Sequence, residues 1–303
     1  HILAEPQRTN LITYSEDFSL WTQYGSPTIV QNIISPDGTL NGTQVTRGSN
    51  QTPLRYSNVT TLNQEYTYSI YAKKGSVDVM ILDIGDETNA SFTLTDEWQR
   101  FTVTSTPTTY THIDLSLGTS VSGDYIYIYG AQLEEGSYAT SYIPTSGSTV
   151  TRNQDFTRDG IGSLINSTEG VLFIEMAALT SVVPLNNWLT ITDGTNSNSV
   201  DIVFETNGKT TARIESGGVL QAYMTALGDY SQNRKIAFKW KVNDFAFWID
   251  GVEVGSDTNG ITFSADTLNS LQLTYGSGGN YTNGKIKQLQ VYDTALTDEQ
   301  LEA

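Results

Sequence analysis

The side chains that could act chemically in this sequence are mainly carboxylates, because it contains no cysteine and only two histidines. A serine–histidine–aspartate triad needs a usable imidazole, and the two candidates are His1, at the terminus, and His112. His112 precedes Asp114 by two positions in THIDLSLG, where polar and apolar residues alternate, so both side chains are predicted on one strand face. We interpret this pair either as solvated surface groups or as hydrogen-bonding partners of a sugar. Thiolate chemistry is excluded, and a histidine-based zinc site lacks ligands.

Two carboxylate pairs are candidates for glycoside hydrolysis, which needs two carboxyl groups at a set separation. They are Asp201 with Glu205 in DIVFE and Asp250 with Glu253 in DGVE. The even spacing of Asp201 and Glu205 predicts that both lie on one strand face. This pair keeps a polysaccharide-degrading enzyme, a glycosidase or lyase, or the accessory binding region of one, open as an alternative function. The competing interpretation is a solubilising pair on an edge strand.

The overall charge bears on the choice of partner. Acidic residues number 33 against 16 basic residues, which gives a formal net charge of −17. Such a field repels a phosphate polymer, so nucleic acid is excluded as a partner. The charge either serves solubility or includes carboxylates that hold calcium. No apolar run reaches the length of a membrane span and no secretory signal is visible, so we expect no membrane insertion.

The segment Gly123–Arg152 organises the predicted fold. Its first half alternates, with Ile126 and Ile128 on one face and tyrosines on the other, as in a strand with two different faces. Its second half is rich in Gly, Ser and Thr and predicts a turn followed by an ordered strap. Similar alternating runs separated by turn residues occur on both sides. We therefore predict an all-β chain of two antiparallel β-sandwiches, jelly rolls, in tandem.

The predicted boundaries follow from these patterns. We expect an N-terminal extension over 1–9, which could mark a fragment of a longer protein, a first sandwich over 10–145, a linker over 146–160 and a second sandwich over 161–303. The ending LTDEQLEA predicts one short helix, because Thr297 and Gln300 have the spacing of a capping box. Leu296 and Leu301 are placed to pack across that cap.

Two sets of motifs resemble known families. TNLITYSEDFSLW, YTYSIYAKKG, EWQRFTVT and YIYIYGAQLEEGSYATSYIPTSGSTVTR together resemble a jelly-roll carbohydrate-binding-type domain found in phage tail, virion and secreted bacterial proteins. FAFWIDGVEV and GKIKQLQVYDTALTDEQLEA resemble the concanavalin/laminin-G-like sandwich. Both resemblances imply glycan-binding or interaction modules, although a fold does not by itself define a function.

The sequence departs from these families at two places. Sugar-binding jelly rolls often hold a structural Ca²⁺ with an aspartate of the last strand, where this sequence has Gln132. Glu134, together with Glu16 or Asp17 of the entry segment, could still supply the clustered oxygens that Ca²⁺ requires. Concanavalin-like glycosidases carry a dense Glu-x-Asp-x-x-Glu strand, and no such run occurs here.

The resemblance therefore predicts a non-catalytic adhesion or structural module. It implies an extracellular or virion location, with a cell-surface or extracellular polysaccharide as partner and a homotrimer or virion neighbours as further contacts. A purely architectural module, whose tyrosine-rich face contacts a neighbouring subunit, remains a third hypothesis. Candidate glycan-binding residues, each of which could also be a core residue, are Tyr56, Tyr71, Arg100, His112, Asp114, Tyr127, Trp188, Trp248 and Tyr275.

Overall fold

The computed structural model describes residues 2–86, 88–118, 121–153, 158–159, 161–178, 186–228, 231–276, 280 and 282–302, with the backbone alone at residues 2, 158 and 159. His1, one of the two histidines, lies outside the described residues. The chain divides into two compact units. The first unit is Gln7–Asn153, and the second unit combines His1–Pro6 with Gln154–Ala303.

The regular secondary structure of the described residues is almost entirely β-strand, apart from 3-10 turns at Phe18–Leu20 and Gly162–Leu164 and the short helix α1 (Asp298–Glu302). In chain order the strands are β1 (Ile2–Ala4), β2 (Arg8–Asn10), β3 (Thr22–Gln23), β4 (Thr28–Ile33), β5 (Gly42–Thr46), β6 (Leu54–Tyr56), β7 (Tyr66–Lys74), β8 (Val79–Ile84), β9 (Ala90–Thr93), β10 (Gln99–Ser105), β11 (Ile113–Ser116), β12 (Tyr125–Glu135), β13 (Val150–Arg152), β14 (Arg158–Asp159), β15 (Glu169–Ala178), β16 (Asn187–Thr192), β17 (Ser199–Phe204), β18 (Lys209–Ser216), β19 (Val219–Leu227), β20 (Arg234–Lys241), β21 (Phe245–Ile249), β22 (Val252–Asp257), β23 (Ser270–Gln272) and β24 (Gly284–Tyr292).

The first unit is a sandwich of two five-stranded sheets, in the orders β10-β7-β12-β5-β4 and β3-β6-β11-β8-β9, with β13 and β2 paired beside them. All of its strand pairs are antiparallel. Alternation places one side of each strand in the core, as predicted for Ile126, Ile128, Ile113 and Leu115. Trp21 is also a buried core residue.

The second unit stacks two six-stranded antiparallel sheets, in the orders β1-β24-β15-β20-β21-β22 and β14-β23-β16-β17-β18-β19. Its core is strongly aromatic, because Phe238 and Trp240 of β20 and Phe245 and Phe247 of β21 all point inward. These positions alternate along the chain, which is the pattern that predicted them. The two sandwiches confirm the predicted all-β tandem.

The segments predicted to lie outside the two sandwiches contribute strands to them. The segment predicted as an extension supplies β1, which pairs with β24 of the second unit, and β2, which pairs with β13 of the first. The segment predicted as a linker contributes β13 and β14. The short C-terminal helix is confirmed, and the Gln300 side chain accepts a hydrogen bond from the backbone N–H of Thr297 at 2.9 Å, as the capping box requires. No helix in the described part of the chain is both long and apolar enough to span a membrane.

Candidate functional site

The face of the β7–β12 sheet that points away from the core carries three of the predicted glycan-binding residues. A strap formed by residues 137–147 is hydrogen-bonded to this sheet: Gln132 accepts a hydrogen bond from the N–H of Ile143 at 2.6 Å. The Arg100 guanidinium donates to the carbonyl of Thr140 and to the Ser69 hydroxyl, and it lies over the ring of Tyr71. Arg100 therefore anchors the strap to the sheet, with one hydrogen bond to the strap and one to β7.

Aromatic packing explains why the strap fits this sheet. The Tyr142 ring of the strap packs against Tyr71 and Tyr129, with ring centroids 6.4 and 5.3 Å away. It also lies directly on Gly130, where a Cβ atom would come within 3.1 Å of the ring and φ is +62°. Burial raises the pKa of Tyr142 and Tyr129, so both hydroxyls stay protonated. Much of the predicted tyrosine face is therefore internal packing.

Tyr127 and Tyr56 have separate surroundings. Tyr127 is half-buried and lies 5.2 Å from the Lys73 ammonium group, outside the strap contacts described above. Tyr56 packs against the core, with its ring 5.1 Å from that of Trp21, and its hydroxyl contacts the Thr13 hydroxyl at 2.6 Å. The structure therefore places Tyr56 on the inner side of its sheet, away from the outer-face residues His112 and Asp114.

The most developed polar cluster lies on the outer face of the β3-β6-β11-β8-β9 sheet. Arg55 of β6 and Asp83 of β8 lie directly opposite Asp114 of β11 in the strand register. Arg55 donates two hydrogen bonds to the Asp114 carboxylate, from Nε at 2.6 Å and from Nη2 at 2.5 Å. This is the bidentate geometry in which the guanidinium and carboxylate planes match. The pair keeps the pKa of Arg55 above its usual value, mainly through the hydrogen bonds to Asp114.

Further groups extend this cluster towards solvent. His112 Nε2 lies 3.2 Å from Asp86 Oδ1 and 3.7 Å from Asp114 Oδ2. The Tyr24 ring lies 5.5 Å from the Arg55 guanidinium, and the Tyr110 ring lies 5.5 Å from that of His112. Tyr24 and Tyr110 are 37% and 50% exposed. We name this surface the Arg55 patch; its residues are Tyr24, Arg55, Asp83, Asp86, Tyr110, His112 and Asp114.

Four members of the patch come close enough together to hold a metal ion, namely Asp83, Asp86, His112 and Asp114. Their oxygens already have partners, however. Asp83 accepts hydrogen bonds from the backbone N–H groups of Asp86, Thr88 and Asn89 at 2.6–3.0 Å. The Arg55 guanidinium sits among them as a fixed positive charge, 3.7 Å from Asp86 and 2.5 Å from Asp114. The guanidinium offsets one of the three carboxylate charges, so the cluster keeps a net negative charge while most of its oxygens are held by hydrogen bonds.

In the second unit, the outer face of the β14-β23-β16-β17-β18-β19 sheet carries another cluster. Trp188 of β16 contacts Tyr275 with ring centroids 4.3 Å apart, and the Arg213 guanidinium of β18 lies 5.2 Å from the Trp188 ring. Arg213 Nε lies 3.1 Å from Asp201 Oδ2, and the two residues are direct neighbours in the register. The sheet thus brings together Trp188 and Tyr275, which were predicted, with Arg213, which was not.

Asp201 is fully buried beneath this cluster. Its Oδ2 accepts a hydrogen bond from the Ser199 hydroxyl at 2.7 Å, whereas Oδ1 has no hydrogen-bond partner among the described residues. Burial raises the pKa of Asp201 to about 6, although the nearby Arg213 charge and the Ser199 hydrogen bond oppose the shift. Glu205 instead bonds to the Thr211 hydroxyl and to Asn207. The two carboxylates of the predicted catalytic pair therefore have different environments.

Trp248, the remaining aromatic candidate, is nearly covered. It packs with Val171, Ala237 and Ala246 on the outer face of the other sheet, beneath Leu296 and Leu301 at the C-terminal helix. It lines a cleft of about 520 Å³ beside that helix. Its contacts make it primarily a packing residue.

The predicted calcium ligands also have partners. Both Glu134 oxygens accept hydrogen bonds from Thr140, one of them from the backbone N–H at 3.0 Å. Glu16 accepts from the Tyr142 hydroxyl at 3.0 Å, and Asp17 accepts from the N–H of Ser19 at 3.1 Å, which caps the first 3-10 turn. Glu16 and Asp17 line one pocket, and Glu134 is not among the residues that line it.

The comparison with known families concerns the second unit. Residues 180–302 match the Concanavalin A-like lectin/glucanases superfamily. This match confirms the concanavalin/laminin-G-like resemblance of the second half and, with the sandwich fold of both units, the predicted tandem of jelly rolls. Among curated proteins, none matches the chain.

Similar solved structures include the CBM40 domain of the Ruminococcus gnavus IT-sialidase, which is 15% identical, with coverage of 45% of this chain and 82% of that chain and a TM-score of 0.39. The NanB sialidase of Streptococcus pneumoniae is 15% identical, and the match covers 48% of this chain and 26% of the sialidase chain with a TM-score of 0.37. Mouse laminin alpha1 domains LG4-5 are 10% identical, with coverage of 92% and 96% and a TM-score of 0.30. Likenesses this distant carry no information about the ligand of this chain.

Several residues of both clusters could not be selected from the sequence. Arg55 lies 59 positions from Asp114, and Arg213 lies opposite Asp201 on the neighbouring strand, so in each case only the strand register reveals the pair. Tyr24 and Tyr110 lie outside the strands, where alternation gives no signal. One sequence signal could have indicated that Asp114 has a partner. Asp114 occupies a polar position of an alternating strand, which predicts that its partner lies on the same face of the sheet.

Proposed function

We propose that the chain is a non-catalytic glycan-binding module of an extracellular or virion protein, such as a phage tail or bacterial surface protein, and that the Arg55 patch binds the glycan. The observation that carries this proposal is the charged network of Arg55, Asp114 and His112 with an exposed tyrosine at each side. Sugars present hydroxyl groups along their edges and C–H groups on their ring faces. The patch offers fixed hydrogen-bonding groups and aromatic faces for these two kinds of surface.

The charge of the patch favours a neutral glycan. It contains three carboxylates, Asp83, Asp86 and Asp114, against the single guanidinium of Arg55. The chain as a whole carries a formal net charge of −17. An anionic polysaccharide would meet repulsion from both, whereas a neutral cell-surface or extracellular polysaccharide would not.

A glycan array with wild-type protein, followed by calorimetric titration of the best ligand, tests this proposal. We expect Tyr110→Ala to weaken binding by roughly tenfold or more, because an aromatic contact in a binding site contributes on the order of 1–2 kcal/mol. Tyr223→Ala is the matched control, since Tyr223 is 53% exposed in the other unit. Loss of binding in Tyr223→Ala with unchanged binding in Tyr110→Ala would place the glycan site in the second unit and refute the assignment to the Arg55 patch.

One observation favours an enzyme as the second candidate function. Burial raises the pKa of Asp201 to about 6, which is a value suited to a general acid. Its surroundings argue against catalysis, because Asp201 is fully buried and contacts Arg213 and Ser199. Incubation with polysaccharides, followed by detection of released oligosaccharides, distinguishes the two functions. Release by the wild type that disappears in Asp201→Asn would establish the enzyme.

The proposed function also includes an oligomeric state and a metal ion. A module that binds a repetitive polysaccharide gains avidity when several copies are held together, which supports a trimer or attachment to virion neighbours. The mass of the protein in solution tests the trimer directly. Ca²⁺ remains the metal that we propose for the structure, and the pocket that contains Glu16 and Asp17 is the place where its ligands can be sought.

A further inference from the structure

The three carboxylates of the Arg55 patch differ in how many of their oxygens already have partners. Both oxygens of Asp83 accept hydrogen bonds from backbone N–H groups of the loop that follows it, at 2.6–3.0 Å. Both oxygens of Asp114 accept hydrogen bonds from Arg55. In Asp86, Oδ1 lies 3.2 Å from His112 Nε2, whereas Oδ2 has no hydrogen-bond partner in the described part of the chain. Asp86 is therefore the carboxylate that can still accept a hydrogen bond from a ligand.

Arg55 supplies a donor beside this acceptor. Its Nε and Nη2 atoms donate to Asp114, while Nη1 makes no hydrogen bond to any residue that the structure describes. Arg55 Nη2 also lies 3.7 Å from Asp86 Oδ1, and 26% of the Arg55 side chain and 48% of the Asp86 side chain are exposed. A fixed donor and a fixed acceptor thus lie side by side at the surface. At this separation, two hydroxyl groups on adjacent carbon atoms of a sugar can bond to both.

The backbone holds Asp86 in a conformation that residues other than glycine rarely adopt. Gly85 and Asp86 have successive φ values of +69° and +61°. The buried Asp83 fixes the loop from one side. On the other side Gly85 lies so close to residues 107–110 that a Cβ atom there would come within 2.7 Å of Pro107 Cβ and 2.8 Å of the Tyr110 carbonyl oxygen. The surrounding contacts thus fix Asp86 relative to Tyr110, and such fixed, strained residues occur frequently at binding sites.

We propose that the Arg55 patch selects neutral glycans that present two unsubstituted hydroxyl groups on adjacent carbon atoms. One hydroxyl donates a hydrogen bond to Asp86 Oδ2, the other accepts a hydrogen bond from the Arg55 guanidinium, and the sugar ring lies against Tyr110. Asp86 is then the residue that determines specificity, and Asp83 is a positioning residue that acts through it. This inference rests on the proposed function, because it requires that the patch binds a glycan.

A glycan array prepared in two copies tests the selection with the full chain. One copy is untreated, and the other is oxidised with periodate and reduced with borohydride, which cleaves the bond between adjacent hydroxyl-bearing carbons and leaves isolated hydroxyls intact. We expect binding to fall roughly tenfold or more on the treated copy, because hydrogen bonds to two charged groups are lost. Undiminished binding to the treated copy would overturn the selection and leave glycan binding established. Absence of binding to the untreated copy would refute the proposed function itself, and this inference with it.

Asp86→Gly tests whether Asp86 carries the selection, and it preserves the loop because glycine adopts a φ of +61° without strain. The variant should bind the untreated glycans roughly tenfold more weakly than the wild type, and its preference for untreated over treated glycans should fall by the same factor. Asp266→Gly is the matched control, since Asp266 is an exposed aspartate with a φ of +60° in the second unit. An unchanged preference in Asp86→Gly would show that Asp86 does not determine specificity.

Asp83→Asn tests the positioning role of Asp83. The amide has one accepting oxygen where the carboxylate has two, so at least one loop N–H group loses its acceptor and Asp86 is less firmly held. We expect both the affinity for the untreated array and the preference over the treated copy to fall. A lower Tm with an unchanged preference would mean that Asp83 serves only the fold and would contradict the positioning role.

Discussion

The two units each carry an arginine–aspartate pair on a sheet face that points away from the core, and the two pairs share their register but differ in hydrogen bonding and in exposure. Arg55 and Asp114 form two aligned hydrogen bonds at the surface, with His112 and two exposed tyrosines beside them. Arg213 and Asp201 lie 3.1 Å apart without an aligned hydrogen bond, and Asp201 is fully buried. Equal residue types at equal register thus give one bidentate, partly exposed pair and one buried pair in which Asp201 Oδ1 has no hydrogen-bond partner among the described residues.

The difference between the two pairs follows from how much solvent reaches each of them. The Arg55 side chain is 26% exposed, so the guanidinium that holds Asp114 stays partly in solvent. Asp201 is buried near Trp188, so desolvation raises its pKa to about 6 and its charged form is costly. The surface pair is therefore suited to recognise a ligand from solvent, whereas the buried pair chiefly affects stability.

The largest effect that would test this contrast is expected from Arg213→Met. Removing the guanidinium leaves the buried Asp201 carboxylate without a countercharge, which costs roughly 3 kcal/mol of the free energy of unfolding near pH 8. Urea unfolding measures this loss. The double variant with Asp201→Asn should recover most of it, because no buried charge remains. A change in the free energy of unfolding below about 0.5 kcal/mol for Arg213→Met would show that the pair contributes no more than an exposed ion pair.

The pH dependence of stability gives the second test. The pKa of Asp201 is about 6 in the folded chain, above its ordinary value of 3.8, so between these values the folded state holds a proton that the unfolded state has lost. Stability from this group therefore falls as pH rises through that window and levels off above about pH 6, by up to about 3 kcal/mol. The difference between wild type and Asp201→Asn, measured by urea unfolding across pH 4–8, isolates the group; a pH-independent difference would contradict the assignment.

A smaller effect on stability is expected at the surface pair. Arg55→Met removes both hydrogen bonds to Asp114, but 26% of the Arg55 side chain is exposed and Asp114 is not fully buried, so the free energy of unfolding should fall by only about 1 kcal/mol. Glycan binding should fall roughly tenfold or more, since the fixed guanidinium is lost. Arg55→Lys is the control, because it keeps the charge and loses the bidentate geometry. Stability loss as large as that of Arg213→Met would remove the contrast between the pairs.

Alternation along the chain was sufficient to predict much of the fold. The inward positions of Ile126, Ile128 and Phe238 and the capped helix at Thr297 were all predicted, because each depends on neighbours within a few residues. The positions of Tyr71 and Arg100 on an outer face were also predictable. Their coverage by the strap was not, since it depends on contacts with Tyr142 and Thr140 about 40–70 residues away.

The sites were less predictable for the same reason. A pair such as Arg55–Asp114 exists only when strands distant in sequence become neighbours, and alternation gives the face of each residue but not its partner. The Glu16–Asp17 segment suggested a cation, but the hydrogen bonds of these side chains to Tyr142, Asn41 and Gln31, which lie 14 to 126 residues away, could not be predicted.

The smallest expected effect concerns the buried pair, Arg213 and Asp201. Glu215 is paired with Arg213 in the same strand, and its negative charge also contributes to raising the pKa of Asp201. Glu215→Gln removes that charge and leaves Arg213 with Asp201 as its remaining carboxylate partner among the described residues, so both changes should lower the pKa of Asp201. The stability profile of Glu215→Gln should therefore level off at a lower pH than that of the wild type, with little change in stability near pH 8. An upward movement of that pH would show that Arg213 is held in place by Glu215 and leaves Asp201 when Glu215 is removed.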